Sequence, residues 1–137
     1  MKIKSKTEAL EILSNAKCDP WDRETAARYL LQYPSPEVME CLINTLRDED
    51  FGVRYVAAQV LIDMRDLALP DLLRTLTDAH HASDTQLRET IRHILMRNRS
   101  VLQIRVDALL DALKGPVPGL AAMEEASKLL RQLGEAR

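Results

Sequence analysis

Asp-x-x-x-Arg occurs three times in this chain, as Asp19/Arg23, Asp50/Arg54 and Asp84/Arg88, each time in phase with the same apolar pattern. A shift of 31 residues lays Asp19 on Asp50, Ala26-Ala27 on Ala57-Ala58 and Leu30 on Leu61. A shift of 34 lays Asp50 on Asp84 and Val60-Leu61 on Ile94-Leu95. One such pair carries no information. Three in register define a repeat, which confines the chain to architectures whose units bury apolar surface against one another.

Within the unit, Val53, Val56, Ala57, Val60, Leu61 and Met64 follow the 3-4-3 spacing of one helical stripe, which strand alternation cannot produce. Leu69, Leu72, Leu73 and Leu76 form a second stripe. Asp50 and Asp66 stand where side-chain oxygens cap the free amides of helix starts, so residues 50–78 read as a helical hairpin. A hairpin this short needs neighbours on both sides.

At these residues the chain resembles the HEAT-repeat family, in particular the short bacterial HEAT-like repeats also found in bilin lyases of the PBS-lyase type and in many scaffold proteins. The resemblance covers roughly residues 19–114. It implies an all-α fold, a right-handed α-α superhelix or armadillo-like solenoid, and action by surface binding rather than any particular chemistry. It also implies a structural ladder in which an arginine early in each first helix pairs with an acidic residue of an adjacent repeat. Asp19, Arg23, Asp50, Arg54, Asp84 and Arg88 are the residues of that ladder.

The remaining segments fit a single domain, 1–137, of about seven helices. Ser5 and Glu8 have capping-box spacing ahead of Ala9, Ile12, Leu13 and Ala16, giving an N-terminal cap helix at 5–17. Repeat 1 covers 19–48, its first stripe being Ala26, Tyr29, Leu30 and Tyr33, and Ser35-Pro36 opens its second helix over Val38, Cys41, Leu42 and Leu46. Repeat 2 covers 50–78. Repeat 3 covers 84–114, with Leu87, Ile91, Ile94 and Leu95 in its first helix and a capping box at Ser100/Gln103 before Leu102, Val106, Leu109, Leu110 and Leu113. A C-terminal cap helix at 119–133 turns Leu120, Met123, Leu130 and Leu133 inward, and Gly134 closes it. A polar-backed helix at each end suits a complete small solenoid.

Composition narrows the function. The chain has a formal charge of −2, four glycines and 4% aromatics, and no apolar run approaches the ~18 residues of a membrane span. Its first residues lack the apolar segment of a secretory signal. It reads as a bacterial cytoplasmic protein with reduced thiols at Cys18 and Cys41. There is no nucleophile elbow, phosphate-binding glycine loop or HExxH, so no catalytic residue and no cofactor are assigned. His80-His81 with Asp84 reads as a solvated loop and His93 has no reason to join it, so no metal is assigned.

The function expected is that of a non-enzymatic protein-protein interaction scaffold or adaptor, self-association being compatible with it. Its partner-binding surface is the concave ridge of the second helices, formed by Glu37, Glu40, Asn44, Arg47, Asp71, Arg74, Gln103, Asp107 and Asp111. Two alternatives stand beside it. One is a bilin-lyase-type chromophore-handling protein. The other is a nucleic-acid binder using the Arg88–Arg105 basic patch, whose Arg92, Arg97, Arg99 and Arg105 face Glu89 alone; without interleaved exposed aromatics the patch favours an acidic protein partner over nucleic acid. Trp21, the sole tryptophan, is expected to pack into an inter-repeat loop, the other role open to it being that of interface anchor.

Overall fold

The computed structural model describes residues 2–81, 83–115 and 118–134. Among these it has eight α-helices, two 3-10 turns and no strand. The helices are α1 (Lys6–Ser14), α2 (Pro20–Leu30), α3 (Pro36–Thr45), α4 (Phe51–Met64), α5 (Leu69–Thr77), α6 (Thr85–Asn98), α7 (Asp107–Lys114) and α8 (Pro118–Gln132). About seven helices are expected from the sequence, and eight are present among the described residues. The chain divides into two compact units, 1–64 and 65–137, and the boundary falls within residues 50–78, which the sequence reads as one hairpin.

In the first unit α1 packs on α2 and α3, and α4 packs on α2 and α3. The helix starts are set locally. Ser5 Oγ accepts the Glu8 amide and Ser35 Oγ the Val38 amide, while Pro20 and Pro36 occupy first-turn positions that need no amide donor. Leu13, Leu30, Leu42, Leu46 and Leu61 are fully buried, each contributing about 2 kcal/mol of transfer free energy. Helix α1 stops at Ser14, short of the expected 17, because Asn15 adopts an extended conformation and its Oδ1 takes the Lys17 amide; Ala16 is exposed. Tyr29 is half-buried and Tyr33 exposed, their rings 5.3 Å apart, so the first stripe of α2 narrows to Ala26, Ala27 and Leu30.

The second unit departs further from the sequence reading. Arg65, with φ 52°, turns the chain out of α4 in the left-handed region. Asp66 does not cap α5: the residue before that helix is Ala68, which makes no side-chain cap, and Asp66 Oδ1 instead accepts the Gln103 amide at 3.0 Å. With its amide held 37 residues away, Gln103 opens no helix, and α7 begins at Asp107 rather than at the Ser100/Gln103 box.

Helix α8 packs on α5 as well as on α7, and α6 packs on α7. Its buried face is Ala122, Ala126, Leu129 and Leu130; Leu120, expected inward, is 69% exposed. Of the other residues expected inward, Leu130 is buried and Met123 and Leu133 are half-buried. Gly134, at φ 75°, ends the helix in the left-handed conformation expected of it.

Candidate functional site

Three arginines occupy the same position in three first helices, and the structure treats each differently. Arg23 is buried and fully engaged. Its Nη1 and Nη2 donate to Asp48 Oδ2 and Oδ1 at 3.1 and 2.6 Å, and its Nε and Nη2 donate to the Leu13 carbonyl at 3.0 and 2.8 Å. Burial pushes the Asp48 carboxyl up, but the Arg23 hydrogen bonds, the Asp50 amide and the charges of Arg23 and Arg54 outweigh it and hold Asp48 below the usual carboxylate value. Arg54 is half-buried: Nη1 donates to the carbonyls of Asp48 and Glu49 at 2.7 and 3.2 Å, and the guanidinium lies 5.6 Å from the Phe51 ring centre. Arg88 is 9% exposed, and its Nε and Nη1 are buried without a hydrogen-bond partner.

The aspartates of the three motifs act on their own helices. Asp19 Oδ1 accepts the Trp21 amide, Asp50 Oδ1 the Val53 amide and Asp84 Oδ1 the Leu87 amide, at 2.8 to 3.0 Å. In the first unit, the carboxylate at the arginine comes from Asp48, three residues past the end of α3.

Arg88 lines a cleft of about 430 Å³ between α6 and α7, together with Thr85, Glu89, Arg92, Leu113, Lys114 and Gly115. Arg92 is engaged within it, donating to Glu89 at 2.8 to 3.2 Å, and those bonds hold Glu89 below the usual carboxylate value. A second cleft of about 470 Å³ lies between α7 and α8, where Ile104, Ala108 and Leu129 meet Arg105, Glu125 and Lys128.

The ridge residues are distributed as follows. Glu37, Glu40, Asn44 and Arg47 are exposed on α3 or just past its end, and Lys6 pairs with Glu37 at 3.3 Å. Asp71 and Arg74 lie on α5 and pair with each other at 3.1 Å. Asp107 and Asp111 lie on α7, whereas Gln103 sits in the turn before it. Helix α8, lying against both α5 and α7, shares the surface of the second unit with them.

The basic patch is partly neutralised by its own neighbours. Arg92 is held by Glu89, Arg99 Nε forms an ion pair with Asp107 Oδ1 at 2.8 Å, and Arg97 and Arg105 are exposed. His80 Nδ1 approaches Asp78 Oδ1 at 3.1 Å and His81 Nε2 approaches Asp78 Oδ2 at 3.7 Å, and the amide and ring of His80 hold the Asp78 carboxyl low. Among the described residues no group of three or more His, Cys, Asp or Glu side chains is arranged to hold a metal ion, and no helix is long and apolar enough to cross a membrane. Cys18 and Cys41 are free thiols, with Ser14 Oγ 3.4 Å from the Cys41 sulfur.

Exposed aromatics are what the sequence reading missed. Trp21 does not pack into a loop but is 69% exposed, and Phe51 and Tyr55 are 73% and 54% exposed. All three lie on α2 and α4, which pack on each other. The signal was present for two of them: Phe51 and Tyr55 are four residues apart, on the side of α4 opposite the Val53-Val56-Val60 stripe. A family profile described as HEAT repeats matches residues 7–96. No curated protein matches the chain, and no solved structure does.

Proposed function

This chain belongs to the HEAT-repeat family, and from that premise we propose that it is a non-enzymatic protein-binding module of the cytoplasm, an adaptor that recognises a partner through polar residues of its second helices. The observation that carries this reading is the division of labour on α3. Val38, Leu42 and Ile43 are buried in the core, whereas Glu37, Glu40, Asn44 and Arg47 project into solvent, so they can vary without harming the fold. Asp71 and Arg74 stand in the same relation to Leu72, Leu73 and Leu76 of α5. Mixed acids and arginines suit polar recognition of a polypeptide.

A second reading places the contact on the first helices, and the exposure of Trp21, Phe51 and Tyr55 favours it, because aromatic anchors dominate interface energetics. One experiment separates the two. Wild-type protein, a ridge variant reversing Glu40, Arg47, Asp71 and Arg74, and a variant with Trp21, Phe51 and Tyr55 changed to Ala are used as bait in native extract, with captured proteins identified by mass spectrometry. Loss of a specific wild-type partner from the ridge variant, with helicity retained, supports the ridge. Loss only from the aromatic variant moves the surface to α2 and α4.

A further inference from the structure

The internal repeat explains what is unusual at Arg88. Asp48, which neutralises Arg23, follows it by 25 residues; the residue 25 positions after Arg88 is Leu113, followed by Lys114 and Gly115. Leu113, Lys114 and Gly115 line the same cleft as Arg88. Where the first repeat brings a carboxylate to its arginine, the third brings an apolar side chain and a second cation. The one carboxylate among the described residues of the cleft, Glu89, is held by Arg92 through both of its oxygens. Buried guanidinium N–H groups without an acceptor are costly and rare in folded proteins.

We propose that the cleft between α6 and α7 binds a carboxylate group supplied from outside the chain, which takes at Arg88 the part that Asp48 takes at Arg23. Arg88 forms the floor and offers Nη1, the counterpart of the nitrogen through which Arg23 donates to Asp48 Oδ2, to an oxygen of the incoming carboxylate. Lys114, exposed at the end of α7 and with no ion pair among the described residues, gives the mouth its attraction for anions. Among the described residues of the cleft three cations face one carboxylate, so the arrival of one negative charge leaves that group positive. A volume of about 430 Å³ exceeds the needs of one carboxylate and lies within the range of small-ligand sites, so the group enters as part of a larger acidic ligand. The site does not depend on the ridge proposed above.

The test uses the full chain, isotopically labelled, titrated with citrate, with the peptide acetyl-Gly-Glu-Glu-Gly-amide and with inorganic phosphate while amide resonances are followed. Saturable shifts confined to residues 85–92 and 113–115 are expected with at least one of the two carboxylate ligands. Tighter binding of the peptide identifies an acidic polypeptide as the source, and tighter binding of citrate a small polyacid. Lys114→Ala, an exposed change that leaves the fold intact, is expected to weaken binding about tenfold, and Arg88→Met to abolish it while its melting temperature stays at or above that of wild type. Absence of saturable shifts, a response to phosphate alone, or unchanged binding in Arg88→Met overturns the proposal. So does a marked fall in the melting temperature of Arg88→Met, which would show that the guanidinium is satisfied within the chain. None of these outcomes bears on capture of a partner by the ridge, which is measured with different variants.

Discussion

Arg23 and Arg74 carry the same charge in surroundings that differ in every respect relevant to stability. Arg23 is enclosed, with a carboxylate and a carbonyl as acceptors, whereas Arg74 is half-exposed and pairs with Asp71 on its own helix. Truncating Arg23 to Ala strands Asp48 and the Leu13 carbonyl and is expected to cost about 3 kcal/mol. Arg74→Ala is expected to cost about 0.5 kcal/mol or less, and Arg54→Ala, which loses two hydrogen bonds to carbonyls, about 1 to 2 kcal/mol. Urea midpoints of the three variants give this order directly; equal midpoints for Arg23→Ala and Arg74→Ala would refute it. Asp48 adds a pH signature. Because its carboxyl is held low in the folded chain, its contribution is complete above the unfolded value of about 3.9 and disappears as pH falls through the lower folded value. The stability gap between wild type and Asp48→Asn is therefore expected to be full at neutral pH and to close below about pH 4, as thermal melts across that range would reveal. The repeat placed three arginines at one structural position without ambiguity. It did not distinguish their fates, because their surroundings lie outside the repeated pattern: Arg23 meets Asp48, 25 positions later, Arg54 turns back to the carbonyls of Asp48 and Glu49, and at the matching distance from Arg88 stand Leu113 and Lys114.

Helix starts encoded within four residues were legible, as at Ser5, Ser35, Asp50 and Asp84, whose side chains accept amides of their own first turns. Starts fixed at long range were not. Nothing near Gln103 in sequence shows that its amide will be held by Asp66, so a local capping box at Ser100 was the natural and incorrect reading. The face of α8 is legible only in part for the same reason: Leu130 is buried as expected, but with α5 and α7 both against the helix its buried face also takes in Ala122, Ala126 and Leu129 and leaves Leu120 out. Arg65 marks the element boundary with the clearest energetic consequence. A non-glycine residue at φ 52° is strained by about 1 kcal/mol. Arg65→Gly relieves that strain but makes the unfolded chain more flexible, so it is expected to change stability by less than ~1 kcal/mol. Arg65→Val, β-branched in the left-handed region, is expected to destabilise by about 2 kcal/mol. Similar melting temperatures for the two variants would show that this turn carries no strain.

At the scale of the molecule, each compact unit has its own buried core, Leu13, Leu30 and Leu61 in one and Leu73, Ile91 and Leu109 in the other. In repeat proteins stability is a sum of local terms and nearest-neighbour terms, so cooperativity need not extend from end to end. Native-state hydrogen exchange is therefore expected to resolve two blocks of protected amides, and Leu30→Ala to lower protection in the block before residue 65 more than in the block after it. Uniform loss across both would identify a single cooperative body.

Trp21 has a consequence for observation rather than for stability. It is the only indole in the chain, and the water around it is largely that of the bulk solvent. The emission of the folded protein is expected to resemble that of the urea-unfolded chain, and acrylamide to quench both with similar ease, so intrinsic fluorescence is a poor record of folding here. The same exposure makes it a sensitive record of anything that covers the α2–α4 surface. A ligand seated there would shift the emission to the blue and shield it from the quencher, while one seated on α3 alone would leave the spectrum dark to its arrival.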